Sequence, residues 1–218
     1  MRCDRIVFTG FLALLLAVGA GAQTWNAVTD FSSSNPSGPW SYGHGVTGTS
    51  FSLYGVYASD CFAPPAKGVA CWSVDPSYPP FVGRNNTGSP ICRTSGNLIP
   101  GVLLMHPGPS VSPPDDSIVQ FEAPEAGTYD IKGSFQILDI TPTGVIVFVF
   151  NNKSQVLRMT LLGPGIKCEG PNAVGGNVAF HFTVPLAEGD VISFGVNNDG
   201  DLDFDTTGFY AQITKVSR

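Results

Sequence analysis

The sequence predicts an all-β fold: two antiparallel sheets packed as a sandwich, connected as a jelly roll. Three observations point there. Glycine (26) and proline (18) are abundant while charged residues make up only 13% of 218, which suits short strands joined by tight turns and disfavours long surface helices. Several segments alternate apolar and polar residues with the period of two that turns one strand face to a core and the other to water. No segment holds a helical period over three turns, and the strands show no fixed repeat length, which disfavours a propeller or solenoid.

The first segment is read as an export signal. Arg2 and Arg5 precede an apolar run from Ile6 to Val18, and the small residues Gly19-Ala20-Gly21-Ala22 follow, the three-part plan of a secretory leader cut after Ala22. The 13-residue run is too short for a membrane-spanning helix, which needs about 20. Residues 23–218 then form one β-sandwich domain with nine basic against sixteen acidic side chains, a net charge of −7. A surface of that sign is a poor partner for nucleic acid or anionic membranes.

Beyond the leader stand four cysteines, Cys61, Cys71, Cys92 and Cys168. An even count in an exported chain reads as two disulfides. Three pairings are open. The preferred one joins Cys61 to Cys71 across the turn-forming Phe62-Ala63-Pro64-Pro65-Ala66-Lys67-Gly68, and Cys92 to Cys168. A four-cysteine zinc site is disfavoured by the oxidising compartment and by the lack of any Cys-x-x-Cys pair.

Residues 23–114 are loop-rich and aromatic, with strands expected at Phe51 to Tyr57, Val69 to Val74 and Val102 to His106. From residue 115 the strands become regular. Ser117 to Glu122 leads through the turn at Gly127 into Thr128 to Leu138, where Tyr129, Ile131, Phe135 and Ile137 share one face. Gly144 to Asn151 carries an unbroken apolar run, read as a strand covered on both faces. Gln155 to Leu162, Asn177 to Val184, Val191 to Asn197 and Gly208 to Val216 complete the set.

The blocks Ala123-Pro124-Glu125-Ala126-Gly127-Thr128-Tyr129-Asp130-Ile131, Leu186-Ala187-Glu188-Gly189-Asp190-Val191-Ile192-Ser193-Phe194 and Asp205-Thr206-Thr207-Gly208 resemble the β-sandwich ectodomains of bacterial exported proteins. So do Asp30-Phe31, Asn35-Pro36, Trp40-Ser41-Tyr42-Gly43 and Leu104-Met105-His106-Pro107-Gly108. Many such proteins carry a PEP-CTERM sorting tail, which the closing Lys215-Val216-Ser217-Arg218 does not match, and the sandwich is similar to carbohydrate-binding modules. The resemblance implies a fold and a compartment, and no catalytic residue can be carried over from it.

Catalytic chemistry finds little support. His44, His106 and His181 fall in separate contexts without metal-protease spacing, and no Gly-x-Ser-x-Gly elbow occurs. The four glutamates Glu122, Glu125, Glu169 and Glu188 leave a glycosidase pair open. Asn85-Asn86-Thr87 and Asn152-Lys153-Ser154 have the form of glycosylation sequons and, in a bacterial chain, mark only polar loops. Aromatic platforms are the stronger signal: Trp40, Tyr42, Trp72 and Tyr78 are the candidate ligand-binding residues, since exposed rings can stack on the apolar face of a sugar. The competing reading places Trp40 and Trp72 in the core. A second candidate is calcium, held by Asn198, Asp199, Asp201, Asp203 and Asp205, because that ion takes six to eight oxygen ligands and a short acidic loop supplies several. The same alternation also suits the wet face of an edge strand. The functional expectation is an exported, non-catalytic protein that binds glycan, with a structural surface or matrix protein second and a glycan-cleaving enzyme third.

Overall fold

The computed structural model describes residues 22–165 and 176–216. Among them are sixteen strands and no helix. The first eight are β1 (Thr24–Asn26), β2 (Trp40–Val46), β3 (Ser50–Leu53), β4 (Val56–Ala58), β5 (Val69–Asp75), β6 (Tyr78–Asn85), β7 (Ile91–Cys92) and β8 (Asn97–Leu98). The second eight are β9 (Leu103–His106), β10 (Asp116–Glu122), β11 (Gly127–Ile137), β12 (Val145–Asn151), β13 (Ser154–Leu161), β14 (Asn177–Leu186), β15 (Val191–Asn197) and β16 (Thr207–Val216).

The later eight strands make the jelly roll. They pair in nested order, β9 with β16, β10 with β15, β11 with β14 and β12 with β13, all antiparallel. Folding that nested ribbon over itself yields two four-stranded sheets, β14-β11-β16-β9 and β13-β12-β15-β10. The earlier strands lengthen both at their open sides. The first sheet continues through β6, β5 and β4, with β1 beside β16, and the second continues through β2 and β3.

Period-two alternation sets the faces. In β11, Tyr129, Ile131, Phe135 and Ile137 are fully buried, as are Val119 and Phe121 of β10 and Ile192, Phe194 and Val196 of β15. These meet Trp25, Trp40, Tyr42 and Trp72 from the earlier half in one hydrophobic cluster. At its centre Phe121 lies edge-on to both Trp25 and Trp40, at 5.3 and 5.2 Å between ring centres.

Sequence and structure part in the earlier half of the chain. The expected strand from Phe51 to Tyr57 is two strands in different sheets. The break falls at Tyr54, whose N–H donates to Tyr42 O at 3.0 Å while its ring is buried. Strands β2 and β6 were not expected, because glycines dilute the alternation of the first and Pro79-Pro80 opens the second. Proline is tolerated there because it stands at the start of the strand, where a ladder donor is least needed.

A second, smaller cluster covers the outer face of the first sheet. Cys61, Ala66, Val69, Cys71, Phe81, Leu98, Leu104 and Leu138 pack there. They are held by the expected disulfide between Cys61 and Cys71. The other expected bridge involves Cys168, which lies outside the described residues, as do residues 1–21 of the expected export signal. Closing a ten-residue separation contributes about 3 kcal/mol by chain entropy. Replacing both Cys61 and Cys71 by serine is therefore expected to lower the urea midpoint by that equivalent, with the denaturant slope nearly unchanged. An unmoved midpoint would show that the cluster holds without its bridge.

Candidate functional site

The outer face of the second sheet is unusually apolar for a solvent face. Ile118, Ile146, Phe148 and Phe150 lie on it, with Ile118 and Ile146 buried. The turn between β2 and β3 folds over this face and covers part of it. Thr47 N–H and Oγ1–H donate to Asp116 Oδ2 at 2.8 and 2.5 Å, and Asn197 Nδ2–H donates to Asp116 Oδ1 at 2.7 Å. Burial pushes the Asp116 carboxyl above its ordinary value, and these donors pull it back.

Two glycines make the fold-over possible. A Cβ at Gly195 would collide with Thr47 Oγ1, and one at Gly48 would collide with the Phe150 ring. Gly48 also sits at φ +77°, where a side chain is strained in any surroundings.

Between the folded turn and the sheet runs a groove of about 240 Å³. One wall is Phe51, half-exposed and lying against Gly43. The floor is Gln120 and Ser193, where the Gln120 amide donates to Ser193 Oγ at 3.0 Å. The far end is the β12–β13 turn with Asn152 and Lys153. Asn152 adopts φ 52° and is braced on both sides of its amide: Oδ1 accepts from Val191 N–H at 2.9 Å and Nδ2 donates to Asp190 Oδ1 at 3.1 Å. Lys153 at the tip is exposed. The groove thus offers one aromatic face and several neutral hydrogen-bonding groups, with a single ammonium at its end. A cavity of about 150 Å³ holds a benzene ring, so this volume accommodates one sugar ring.

The residues singled out from sequence stand elsewhere. Trp40 and Tyr42 are wholly buried and Trp72 is 8% exposed. Trp40 Nε1–H donates to Asp30 Oδ2 at 3.1 Å, and Trp72 Nε1–H donates to Ser32 O at 2.9 Å. A ring sealed between two sheets has no face to present to a ligand, so the platform reading is corrected for these three. Their glycine-rich neighbourhood resembles a loop in sequence, yet Trp40 and Tyr42 are inward residues of β2 and Trp72 is an inward residue of β5. Tyr78 is 52% exposed, but it lies on β6 in the opposite sheet.

The acidic loop does not converge. Asp199, Asp201 and Asp203 are exposed while Asn198 and Asp205 are buried, and Asn198 Nδ2 is committed to Gly108 O at 3.0 Å. Among the described residues no three of His, Cys, Asp and Glu come together as a metal-holding group. Alternation along a chain aligns side chains only while the chain stays extended, and Asp199 at φ 45° and Phe204 at φ 62° bend this one.

Gln120 and Ser193, which the sequence reading passed over, carried a signal. Each interrupts an apolar run, Ile-Val-Gln-Phe and Val-Ile-Ser-Phe, and each faces away from the core.

No family model matches the chain, and no curated protein sequence matches it. Solved structures with a related arrangement of strands include a CBM35 module from Paenibacillus barcinonensis, 10% identical over 89% of this chain and 99% of that one, with a TM-score of 0.30. The PRD1 vertex protein P5 is 16% identical over 45% of this chain and 65% of that one, at 0.31. A β-glucosidase from Kluyveromyces marxianus is 16% identical over 48% of this chain at 0.28, and the match spans only 11% of the enzyme. Likeness at this level says nothing about a ligand.

Proposed function

We propose that this chain is an exported, non-catalytic domain that binds glycan in the groove on the outer face of its second sheet. The observation that carries the reading is the groove's composition: the Phe51 ring opposite a floor of neutral amide and hydroxyl groups. A sugar ring has an apolar face that stacks on an arene and an equatorial fringe of hydroxyls that needs such partners. The leader-like segment and the disulfide between Cys61 and Cys71 support an extracellular or periplasmic setting.

The test is a glycan array followed by titration calorimetry on the glycans retained. Phe51→Ala is expected to weaken binding about tenfold or more, from the lost ring contact and its area. Its effect on melting is expected to be small, because the ring is half-exposed. Gln120→Ala should weaken binding as well, whereas Tyr78→Ala should leave it unchanged. Retained affinity in Phe51→Ala would remove the groove as the site. Concentration-dependent assembly with no glycan retained would favour a structural role.

A further inference from the structure

A second cavity lies on the other side of the molecule, between the outer face of the first sheet and the loop bound by the disulfide. It measures about 220 Å³ and is lined by Phe62, Phe81, Arg93, His106, Asp139 and Phe204 among others. A neighbouring hollow of about 400 Å³ shares Arg93 and Phe204 with it. We propose that this cavity is a binding site for a monocyclic aromatic carboxylate bearing a ring hydroxyl, separate from the glycan groove.

The walls are aromatic. Phe62 and Phe81 meet edge to face at 4.9 Å, and Phe81 lies 5.7 Å from the His106 ring. Phe204, at the mouth, is 43% exposed. A flat ring fits among such faces and edges, whereas a sugar would leave most of its hydroxyls against phenyl carbons. The cavity exceeds the roughly 150 Å³ that holds benzene, leaving room for substituents.

The polar groups are unequally placed. Arg93 is half-buried, its guanidinium stacked 5.1 Å from the Phe62 ring centre. Nη1 donates to Pro64 O at 3.2 Å. A guanidinium has five N–H donors, and a carboxylate is the planar acceptor that matches two of them at once. At the more buried end, His106 Nδ1–H donates to Pro107 O at 2.9 Å, which leaves Nε2 as the acceptor of the ring. Burial holds this imidazole below its ordinary value and therefore neutral near pH 7. Asp139 beside it is 3% exposed and accepts Thr206 N–H at 2.6 Å. These two side chains suit a phenolic hydroxyl, which can donate to Nε2.

Backbone strain also gathers here. Phe62 at φ 80° and Phe204 at φ 62° occupy the left-handed region, uncommon for bulky residues. Such conformations concentrate at ligand clamps and persist where surrounding structure enforces them.

The experiment is calorimetric titration of the full chain with 4-hydroxybenzoate, its methyl ester, and glucose. The acid is expected to bind and the ester to bind at least tenfold more weakly, while glucose should not compete. Arg93→Gln should abolish the preference for acid over ester, and Phe204→Ala should weaken both at least tenfold. Phe51→Ala, which tests the glycan groove, should leave all three titrations unchanged. The proposal is overturned if the acid fails to bind at millimolar concentration, if the ester binds equally well, or if both cavity variants bind the acid as the parent does. Arg93 and Phe204 are partly or largely solvent-facing, so these variants are expected to fold.

Discussion

Raising the pH from 6.5 to 8 is expected to lower the melting temperature of this protein, and Asp205→Asn is expected to abolish most of that fall. Asp205 is wholly buried, and its Oδ2 has no hydrogen-bond partner. Its Oδ1 accepts from Thr143 Oγ1 at 3.1 Å, but that hydroxyl also faces Asp201 O at 3.1 Å and Asp203 O at 2.9 Å. One proton cannot serve three acceptors. Burial dominates and pushes the Asp205 carboxyl up to about 8.

A carboxyl whose folded value lies above its unfolded value near 4 binds its proton more tightly in the native state. The stability this contributes is complete below pH 4 and is lost as pH rises toward 8, at about 1.4 kcal/mol per pH unit for a single group. Asp116 and Asp139 are raised by burial too and act in the same direction. His106 is lowered and acts in the opposite direction, removing stability as pH falls below about 6.5. The carboxyl slope is therefore cleanest between pH 6.5 and 8, where it amounts to roughly 4–8 °C for a domain of this size. Parallel pH profiles for the parent and Asp205→Asn would show that this carboxyl is not the cause. Calcium added at pH 8 separates a further possibility: a rise in melting temperature that disappears with chelator and in Asp205→Asn would identify a cation as the group neutralising Asp205.

Trp40→Ala is expected to destabilise the protein by about 3–5 kcal/mol, the range for removing a buried tryptophan. For this size of domain that is a melting temperature lower by roughly 6–20 °C. The ring is wholly enclosed and packs edge-on against Phe121. Its loss also removes the indole donor to Asp30 Oδ2, which still accepts Asn26 N–H at 2.8 Å. Trp40→Phe, which keeps an aromatic ring, should cost much less. Glycan binding measured below the melting transition should be intact in Trp40→Phe. A Trp40→Ala protein that melts within about 2 °C of the parent would contradict the enclosed position of the ring.

Asn85 illustrates why a short motif reveals little without its packing. The sequon Asn85-Asn86-Thr87 suggests an exposed loop, yet Asn85 is 4% exposed and its amide donates to Ser89 O and Leu98 O. Its side chain anchors β8 under the smaller cluster, a role set by residues up to thirteen positions away.

What the amino-acid sequence determined by itself was the all-β class and the faces of the regular strands. Those depend on local geometry, since consecutive side chains in an extended chain must point to opposite sides. The alternation in β11 and β14 was legible for that reason, and so was the short disulfide, whose cysteines flank a turn. Which face receives a second cover was decided only by tertiary structure. The groove exists because Thr47 meets Asp116, 69 positions later, and because Gly195 leaves space for the crossing. Trp40 and Tyr42 sit in a glycine-rich segment that looks like a loop, and become core residues only when β2 docks beside β10. Periodicity states that a strand has two faces; burial of each face depends on partners distant in the chain, and no local pattern encodes them.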